Sequence, residues 1–564
     1  MKVKNKQYFL LLILAGLLCL LGISLYISPI KFVFKNGSSN GLSAKDFNPN
    51  DFGIFEVEGY FNENQKYIDV EHYNLAFDLD TENEILNGDV TIKGKLLKPL
   101  EEIHFNFYDN MIIKTITLNG EKVNYKNEGT DLIINNEDET EDFTIRIVYS
   151  GKPVDLGFGS FEFGEFGGSS AVHSLSEPVY SSTWFPCNDL PTDKALADIF
   201  ITNDTSKTSI SNGYLVGSET NGNRKTFHWK TVYPISTYLI SINSAEYIQF
   251  NQNYTSITGE DIYLVHYAFH EDYEKALIDM EDHPKYLEIL ENMFGEYPFI
   301  KEKYGVAEFL WRNGAMEHQT ITGMSFRYYT GKKYFTDILV HELAHQWWGN
   351  AVGPATWKDV WLNEGFAKYT EALYWEKTKG FTALQSTMQS IYGDFNNGTL
   401  YNPGKDLFGS KVYNKGAWVL HMLRKEVGDE TFFKILKTYY SLFKYKNAST
   451  EDFKNICEEL SGKNLNQFFK QWLYEGTGIL VLRYNWEFDK NKNIKLKLKQ
   501  VQDGFENYHF SIDVLINSKS SEETEKFYIT SRDTVLTIPA NLKPVEIELD
   551  PESWLLAHIW EEKE

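Results

Sequence analysis

Two histidines four residues apart, with a glutamate beside the first, give this sequence its clearest chemical signal. They are His341, Glu342 and His345, in the stretch HELAHQWWGN. Residues i and i+4 share one face of a helix, so the two imidazoles can bind one metal ion. Glu342 projects to the side of that face, where it can reach a water molecule on the ion. The pattern therefore predicts a zinc site, although an ordinary helix can also carry two such histidines.

A catalytic zinc ion usually takes three protein ligands and leaves a fourth position for water. The stretch WLNEGFAKY supplies Glu364, which follows His345 after 18 residues at the predicted start of the next helix. Two packed helices joined by a loop can bring these side chains together, so we expect one Zn²⁺ per chain, bound by His341, His345 and Glu364. Glu371 lies two turns further along the same helix face and is predicted to orient a ligating histidine. A solvated glutamate is the alternative interpretation of Glu371.

The elements around these motifs divide the chain into three parts. An antiparallel β domain is predicted at 59–250, a mainly helical catalytic domain at 251–477 and a small β-sandwich at 478–564. The first part contains the alternating runs HYNLAFDLD, DVTIKGKL, TITLNG, FTIRIVY and STYLISI. The second part has helical spacing in HEDYEKALIDMEDHPKYLEILENMFG, YFTDILVHELAHQWWG, NEGFAKYTEALYWEKTKG, KGAWVLHMLRKEVG, EDFKNICEELSG and LNQFFKQWLYEG. The third part returns to alternation in ILVLRYNWEF, NIKLKLKQVQ, YHFSIDVLIN, EKFYIT and VEIELD. The fold class is multidomain α+β.

The amino terminus has the pattern of a membrane anchor. Three lysines occur in MKVKNKQ, and no charged residue follows from Tyr8 to Ile30. A helix needs about 20 apolar residues to span a bilayer, and its basic flank stays in the cytoplasm. We therefore expect a cytoplasmic tail at 1–7, a transmembrane helix at 8–30 and a linker at 31–58, with the rest of this single-pass protein outside the cell. A cleaved signal peptide is the alternative, although its apolar core is usually only about 7–15 residues long.

Composition narrows the class of partner. The net charge is −24 and 42% of the residues are hydrophobic, which argues against a disordered chain and against a nucleic-acid partner. The acidity fits a solvated surface. It also fits attraction for cationic substrates, such as peptides with a free amino terminus.

Several motifs together resemble the gluzincin aminopeptidases of peptidase family M1, the aminopeptidase N family. The HExxH motif with a glutamate 18 residues later is the gluzincin signature, and GAMEH resembles the GxMEN motif of the family. The stretch SEPVYSSTWFPCNDLPTDKA and the stretch VYNKG resemble two further motifs, in the order of the family. The resemblance implies a thermolysin-like catalytic domain and a zinc-dependent aminopeptidase acting on peptides with a free amine. It also implies a short form, without the large C-terminal helical domain of larger members, and hence an open groove.

The resemblance also assigns roles to individual residues. Glu342 matches the base that takes a proton from water, and Tyr413 in VYNKG matches the tyrosine that stabilises the transition state. Glu317 in GAMEH matches the glutamate that binds the substrate amine, and Glu177 in SEP matches a second acidic or amide position near the first substrate residue. The backbone of the Gly314–Ala315 dipeptide, at the start of GAMEH, is expected to pair with the peptide as an added strand.

Three positions depart from the family pattern. His318 stands where Asn is usual, Ser182 where Arg is common and Asn414 where Glu is usual. The first puts peptide positioning in doubt, and the second removes an ion pair. Two other functions stay open: a non-catalytic zinc-containing ectodomain that binds peptides, and a zinc hydrolase with endopeptidase or other hydrolytic activity.

Overall fold

The computed structural model describes residues 60–562, except 138, 155, 157–160 and 313. The tail, anchor and linker predicted at 1–58 therefore lie outside the described residues. Within the part that is described, no helix is both long enough and apolar enough to cross a membrane.

Strands make up the amino-terminal part of the described chain, as the alternating sequence predicts. In the first strand every second side chain from Tyr73 to Leu79 is buried, namely Tyr73, Leu75, Phe77 and Leu79, so one face of this stretch lies in the core. The strands are β1 (Ile68–Asp80), β2 (Ile85–Leu96), β3 (Glu102–Asn106), β4 (Ile112–Leu118), β5 (Glu121–Lys122), β6 (Tyr125–Glu128), β7 (Asp131–Asn135), β8 (Asp142–Gly151), β9 (Phe161–Phe166), β10 (Ser169–Ser174), β11 (Leu196–Asp204), β12 (Thr208–Ile210), β13 (Tyr214–Asn221), β14 (Arg224–Lys230) and β15 (Asn243–Ala245).

These strands form three sheets. The largest has the order β13-β14-β11-β1-β2-β8-β4-β5, and the two smaller ones have the orders β12-β15-β10-β9 and β3-β7-β6. Strands β1 and β11 pair in parallel, whereas the other paired neighbours run antiparallel. The prediction of an amino-terminal β domain is confirmed, with this one parallel pair as the exception.

The strand predicted from the run STYLISI is wrong. Residues Thr237–Leu239 form a 3₁₀ turn, and β15 begins only at Asn243. The whole run is buried rather than alternately buried, so its apolar pattern cannot distinguish a strand from another buried segment. Side-chain hydrogen bonds hold the turn, because Thr237 Oγ1 donates to Asp189 Oδ1 at 2.8 Å and Ser236 Oγ donates to the Pro191 carbonyl at 2.9 Å.

A mixed sheet lies at the start of the helical part of the chain. Its order is β16-β17-β18-β20-β19, and a short parallel pair joins β21 to β22. The domain boundary predicted at residue 250 falls inside β16, because this strand pairs with β17 along its whole length. The strands are β16 (Tyr247–Thr255), β17 (Asp261–Phe269), β18 (Val306–Phe309), β19 (Ala315–Met316), β20 (Thr322–Ser325), β21 (Val352–Pro354) and β22 (Lys446–Ala448).

Helices fill the remainder of the central part, as their spacing predicts. The run at 270–295 forms two helices rather than one, because Pro284 lacks an N–H group and fits only the first turn of a new helix. The helices are α1 (Tyr273–Asp279), α2 (His283–Phe294), α3 (Thr336–Ala344), α4 (Trp361–Lys379), α5 (Phe381–Ser390), α6 (Gly416–Val427), α7 (Asp429–Phe443), α8 (Thr450–Ser461) and α9 (Asn466–Phe469). Gly380 ends α4 with a φ of 88°, a conformation that favours glycine. The predicted helical catalytic domain is confirmed.

Seven strands follow the last helix. They form a four-stranded sheet of order β27-β24-β23-β29 and a three-stranded sheet of order β26-β25-β28. The strands are β23 (Leu480–Phe488), β24 (Asn493–Gln500), β25 (Phe510–Asn517), β26 (Glu522–Ile529), β27 (Asp533–Pro539), β28 (Glu546–Leu549) and β29 (Ala557–Glu561). The alternating apolar and polar runs in the sequence predicted β23, β24, β25, β26 and β28. They did not predict β27 or β29.

A buried carboxylate fixes the loop that leads into α3. Asp279, at the end of α1, accepts four backbone N–H groups of residues 330–333, at distances of 2.6 to 2.9 Å. Replacing Asp279 with alanine would leave these donors without their acceptor. We expect the free energy of unfolding to fall by about 2–3 kcal/mol, measured by urea denaturation.

The neighbouring Glu281 provides a matched control. It is exposed and forms an ion pair with Lys333, the last of the four residues that Asp279 binds. Since exposed ion pairs contribute little, Glu281→Ala should change the free energy of unfolding by less than about 0.5–1 kcal/mol. Equal effects of the two substitutions would mean that Asp279 does not hold the loop.

Candidate active site

Helices α3 and α4 bring the three predicted metal ligands together. His341 lies in the last turn of α3, and His345 follows its end with its N–H group still bonded to the His341 carbonyl at 3.1 Å. Glu364 lies in the first turn of α4. The Nε2 atoms of the histidines are 3.1 Å apart, and Glu364 Oε2 lies 3.5 Å from His341 Nε2 and 3.4 Å from His345 Nε2. All three side chains are buried.

The proton positions on the histidines fit a bound zinc ion. His345 Nδ1 lies 2.9 Å from the Trp348 carbonyl oxygen, and His341 Nδ1 lies 2.9 Å from Glu371 Oε1. The Trp348 carbonyl and an ionised Glu371 carboxylate can only accept hydrogen bonds. In that arrangement each Nδ1 atom carries the imidazole proton, and each Nε2 atom keeps a lone pair. With zinc bound, the two Nε2 atoms and one oxygen of Glu364 would be its three protein ligands. This is a donor set of the kind that catalytic zinc sites use.

Glu371 contacts the ring of a candidate ligand. Its Oε1 atom accepts from His341, and its Oε2 atom accepts from Lys368 Nζ at 2.8 Å. The carboxylate is buried, so its position is fixed from both sides. The structure thus places Glu371 where it can orient His341.

Glu342 lies in the same cavity without a fixed partner. The side chain is buried, and its Oε2 atom has no hydrogen-bond partner among the described residues. Burial raises the pKa of Glu342 to about 8, against the opposing effect of His341. A carboxylate in this setting is a good proton acceptor for a nearby water molecule.

A second carboxylate cluster lies on the His345 side of the cavity. One oxygen each from Glu177, Glu317 and Glu364 lie within 4.8 Å of one another, and Glu317 Oε1 is 3.7 Å from His345 Nδ1. Burial, followed by the charge of Glu317, raises the pKa of Glu177, and burial also raises the pKa of Glu317. A substrate ammonium group would favour the ionised forms and donate charge-assisted hydrogen bonds to them.

Two side chains just after the zinc motif hold the backbone of Glu317. Asn350 Nδ2 donates to the Glu317 carbonyl at 2.6 Å, and Gln346 Nε2 donates to the same oxygen at 3.3 Å. Gln346 Oε1 also accepts from the N–H group of Thr320 at 2.9 Å. We call this set the Gln346–Asn350 clamp. The sequence analysis missed both residues, and their position inside HQWWGN was the only available signal.

Gly314 and Ala315 lie at the edge of the mixed sheet. Strand β19, with Ala315 and Met316, is the last strand in the sheet order and pairs on one side with β20. A Cβ atom on Gly314 would come within 2.9 Å of the Trp311 ring, so no larger residue fits there without a shift of that ring. No further strand pairs with β19 in the described part of the chain, and this edge is suited to pairing with an extended peptide.

Tyr413 packs against a candidate ligand. It lies in a π-helical turn, Lys411–Lys415, that precedes α6, and its ring stacks on His341 with centroids 5.9 Å apart and an angle of 20°. Burial, and after it the charge of Glu364, raises the pKa of Tyr413. The hydroxyl therefore keeps its proton and can donate a hydrogen bond.

The structure also shows the surroundings of the three residues that depart from the family pattern. His318 is buried, its two ring nitrogens have no partner in the described structure, and burial lowers its pKa to about 3, which keeps it neutral. Ser182 is buried, with its Oγ atom 2.5 Å from the Tyr60 hydroxyl. The expected ion pair is therefore absent at Ser182, and a contact between two neutral hydroxyl groups is found there instead. Asn414 is half-buried beside Tyr413.

All of the predicted site residues line one cavity of about 280 Å³. Those residues are Glu177, Gly314, Ala315, Glu317, His341, Glu342, His345, Glu364, Glu371 and Tyr413. The sequence analysis missed the other lining residues, which are Leu175, Trp311, Met316, Tyr328, Ile338, Lys368 and Phe408. Six of these seven are apolar or aromatic, so apolar side chains lie between the charged ones in the cavity wall.

Two family profiles match the chain. The Peptidase M1 N-terminal domain matches residues 69–239, and the Peptidase family M1 domain matches residues 278–472. Together they cover more than half of the chain and include every candidate metal ligand.

Individual relatives carry aminopeptidase names. The chain is 26% identical to Aminopeptidase N of Lactococcus lactis subsp. lactis over 435 residues, which is 72% of this chain and 50% of the relative. It is 29% identical to Endoplasmic reticulum aminopeptidase 2 of Bos taurus over 342 residues, which is 55% of this chain and 35% of the relative. The chain thus spans about half the length, or less, of these curated relatives.

Solved structures share the fold. An M1 zinc metallopeptidase from Deinococcus radiodurans, in a mutant form bound to a Tyr-Ser-Ala substrate, aligns with a TM-score of 0.64 and 25% identity, covering 73% of this chain and 95% of that one. Aminopeptidase A of Legionella pneumophila, in complex with aspartic acid, aligns with a TM-score of 0.80 and 18% identity over 90% of this chain and 61% of that one. From the family matches and the geometry of the zinc motif, we conclude that the chain belongs to peptidase family M1.

Proposed function

We propose that this protein is a zinc-dependent aminopeptidase that removes the first residue from peptides with a free amino terminus. One observation carries the proposal. A single cavity holds the donor set of His341, His345 and Glu364 beside the buried carboxylates Glu177 and Glu317. The metal donors provide for hydrolysis, and the carboxylates provide for recognition of an ammonium group.

Glu342 and Tyr413 have chemical tasks beside the metal donors in this reaction. Zinc, when bound, supplies a Lewis acid and lowers the pKa of a water molecule that it binds. Glu342 takes the proton of the attacking water and passes it to the leaving amine. The Tyr413 hydroxyl donates a hydrogen bond to the carbonyl oxygen as negative charge builds there.

Recognition of the amine sets the bond that is cut. The ammonium group of the peptide lies between Glu177 and Glu317, and the backbone of the first residues pairs with the edge of β19. The scissile carbonyl then lies beside the donor set. A longer chain on the amino-terminal side would have to displace the two carboxylates, which opposes cleavage inside a peptide.

The other candidate functions have less support. A non-catalytic zinc protein has no need of Glu342 or Tyr413 beside the metal donors. An endopeptidase has no need of buried carboxylates at the amino-terminal end of the groove. Both alternatives remain outcomes of the experiment described next.

A panel of aminoacyl-coumarin substrates, with and without a zinc chelator, tests the proposal. We expect release of coumarin from several substrates with a free amine, loss of activity with the chelator and recovery on addition of zinc. The amino-acetylated substrates are the matched control and should stay uncleaved. Cleavage of acetylated and free substrates at equal rates would contradict an aminopeptidase, and no cleavage by zinc-loaded protein would favour the non-catalytic alternative.

We further propose a membrane-anchored organisation. The uncharged stretch Tyr8–Ile30 after a basic flank supports a single-pass anchor in the cell membrane, with the catalytic part outside. We assign the two sheets of β23–β29 to a small β-sandwich, and we assign the division between the β domain and the catalytic domain to the residues just before Tyr247. Surface biotinylation of intact cells, followed by membrane extraction at high pH, tests the anchor and its orientation.

A further inference from the structure

The candidate catalytic cavity has two ends, one beside His345 and the other beside His341. Glu317 lies toward His345, with 3.7 Å between Oε1 and Nδ1, whereas Glu371 contacts His341 at 2.9 Å. The two histidines are separated by about 6 Å along the helix axis, and Glu317 and Glu371 each lie beside a different one of them. A peptide whose amine lies beside Glu317 therefore directs the residues after the scissile bond toward the His341 side.

Lys368 lies at this second end. Glu364, Lys368 and Glu371 share one face of α4, because they are spaced at i, i+4 and i+7. Lys368 Nζ donates to Glu371 Oε2 at 2.8 Å, so the ammonium group is two hydrogen bonds away from the ring of His341. Among the described residues that line the cavity, Lys368 is the one lysine or arginine.

The ammonium group of Lys368 is available to a ligand. An ammonium group has three donors, and Glu371 accepts from one of them. The side chain is 23% exposed, so a group in the cavity can reach it. Ile338, one turn before His341 on α3, also lines the cavity, and the adjacent carboxylate of Asp337 accepts a hydrogen bond from Trp375 Nε1.

We propose that Lys368 binds a substrate carboxylate that lies one or two residues after the scissile bond. This proposal rests on the proposed aminopeptidase function and narrows its substrate class to dipeptides and tripeptides with a free carboxyl terminus. An extended peptide advances about 3.5 Å per residue, so only short peptides bring their terminal carboxylate to a site so near the metal donors. The carboxylate accepts a charge-assisted hydrogen bond from Lys368, while Glu177 and Glu317 bind the amine at the other end.

Matched substrates test the proposal directly. Dipeptides and tripeptides with one fixed first residue are compared as free acids and as carboxyl-terminal amides. We expect kcat/KM of the wild type to favour the acid by about 3- to 10-fold in at least one of the two lengths. Lys368→Met should bring the ratio of acid to amide to about 1, whereas Lys368→Arg should keep most of the preference.

The ratio is a robust measurement because each variant serves as its own reference. Damage to the fold, or to His341 through the released Glu371, affects both substrates alike and cancels in the ratio. A dipeptide amide with aspartate as its second residue distinguishes a side-chain carboxylate from the carboxylate of the chain terminus. If this amide matched the free acid of a neutral dipeptide, the short-peptide assignment would be overturned, since a side chain would serve as well.

Two further outcomes overturn the inference. Equal wild-type rates on acids and amides at both lengths would show that no carboxylate is bound, and this measurement does not depend on any variant. An unchanged preference in Lys368→Met would place the carboxylate site elsewhere. Failure of the proposed function is distinguishable from both, because zinc-loaded wild type would then cleave neither acids nor amides.

Discussion

Replacing Glu342 with glutamine is expected to remove turnover while zinc stays bound. The amide cannot accept a proton from water, but it keeps the size of the side chain and leaves the three metal donors unchanged. Loss of the base should lower kcat by about 10²–10⁴-fold. Kinetics on the best substrate of the panel, together with the zinc content of the same preparation, measure both parts of the expectation.

An exposed glutamate on a neighbouring helix gives the control for this substitution. Glu288 lies on α2 and points to solvent, so Glu288→Gln should leave both zinc content and kcat unchanged. A near-normal rate for Glu342→Gln with a full complement of zinc would remove Glu342 from the mechanism. Loss of zinc together with activity would assign it a structural role instead.

Replacing Glu317 with alanine should abolish the preference for a free amine. The ammonium group then loses one of its two buried carboxylate partners, and truncation of a buried charge pair costs about 2–5 kcal/mol. We expect kcat/KM for substrates with a free amine to fall by about 10²–10³-fold. Any background cleavage of acetylated substrates should be affected far less.

The conservative variant Glu317→Gln separates charge from shape. It keeps a hydrogen-bond acceptor of nearly the same size but lacks the negative charge, so most of the loss should remain. Full activity of Glu317→Gln on free-amine substrates would mean that charge does not govern recognition. Zinc content should stay normal in both variants, because the nearest metal donor, His345, keeps its contact with the Trp348 carbonyl.

The metal donors were the part of the site most open to prediction from sequence. His341 and His345 are joined by the period of a helix, and Glu364 follows at the start of the next helix, so local spacing carries most of the geometry. Glu177 and Tyr413 lie more than 60 residues from the zinc motif and have no local pattern of their own. They could be named only through resemblance to a family.

Contacts between distant segments explain what the sequence analysis missed. Lys368 was interpreted only as part of a helix, because its role depends on a cavity that six separate segments of the chain line. The Gln346–Asn350 clamp depends on a carbonyl group about 30 residues earlier in the chain. The run STYLISI was misassigned for a related reason, since complete burial removes the alternation that identifies a strand.

The Gln346–Asn350 clamp also bears on redesign of the cleavage position. An enzyme that removes dipeptides would need its amine-binding carboxylate about 3.5 Å further from the metal donors. Shortening Glu317 to aspartate withdraws the carboxylate by only about 1.5 Å, and its backbone cannot retreat while the segment that carries both histidines holds its carbonyl. Conversion to a dipeptidyl peptidase would therefore require a change in the length of the chain between Gly314 and Thr320, together with new partners for Gln346 and Asn350.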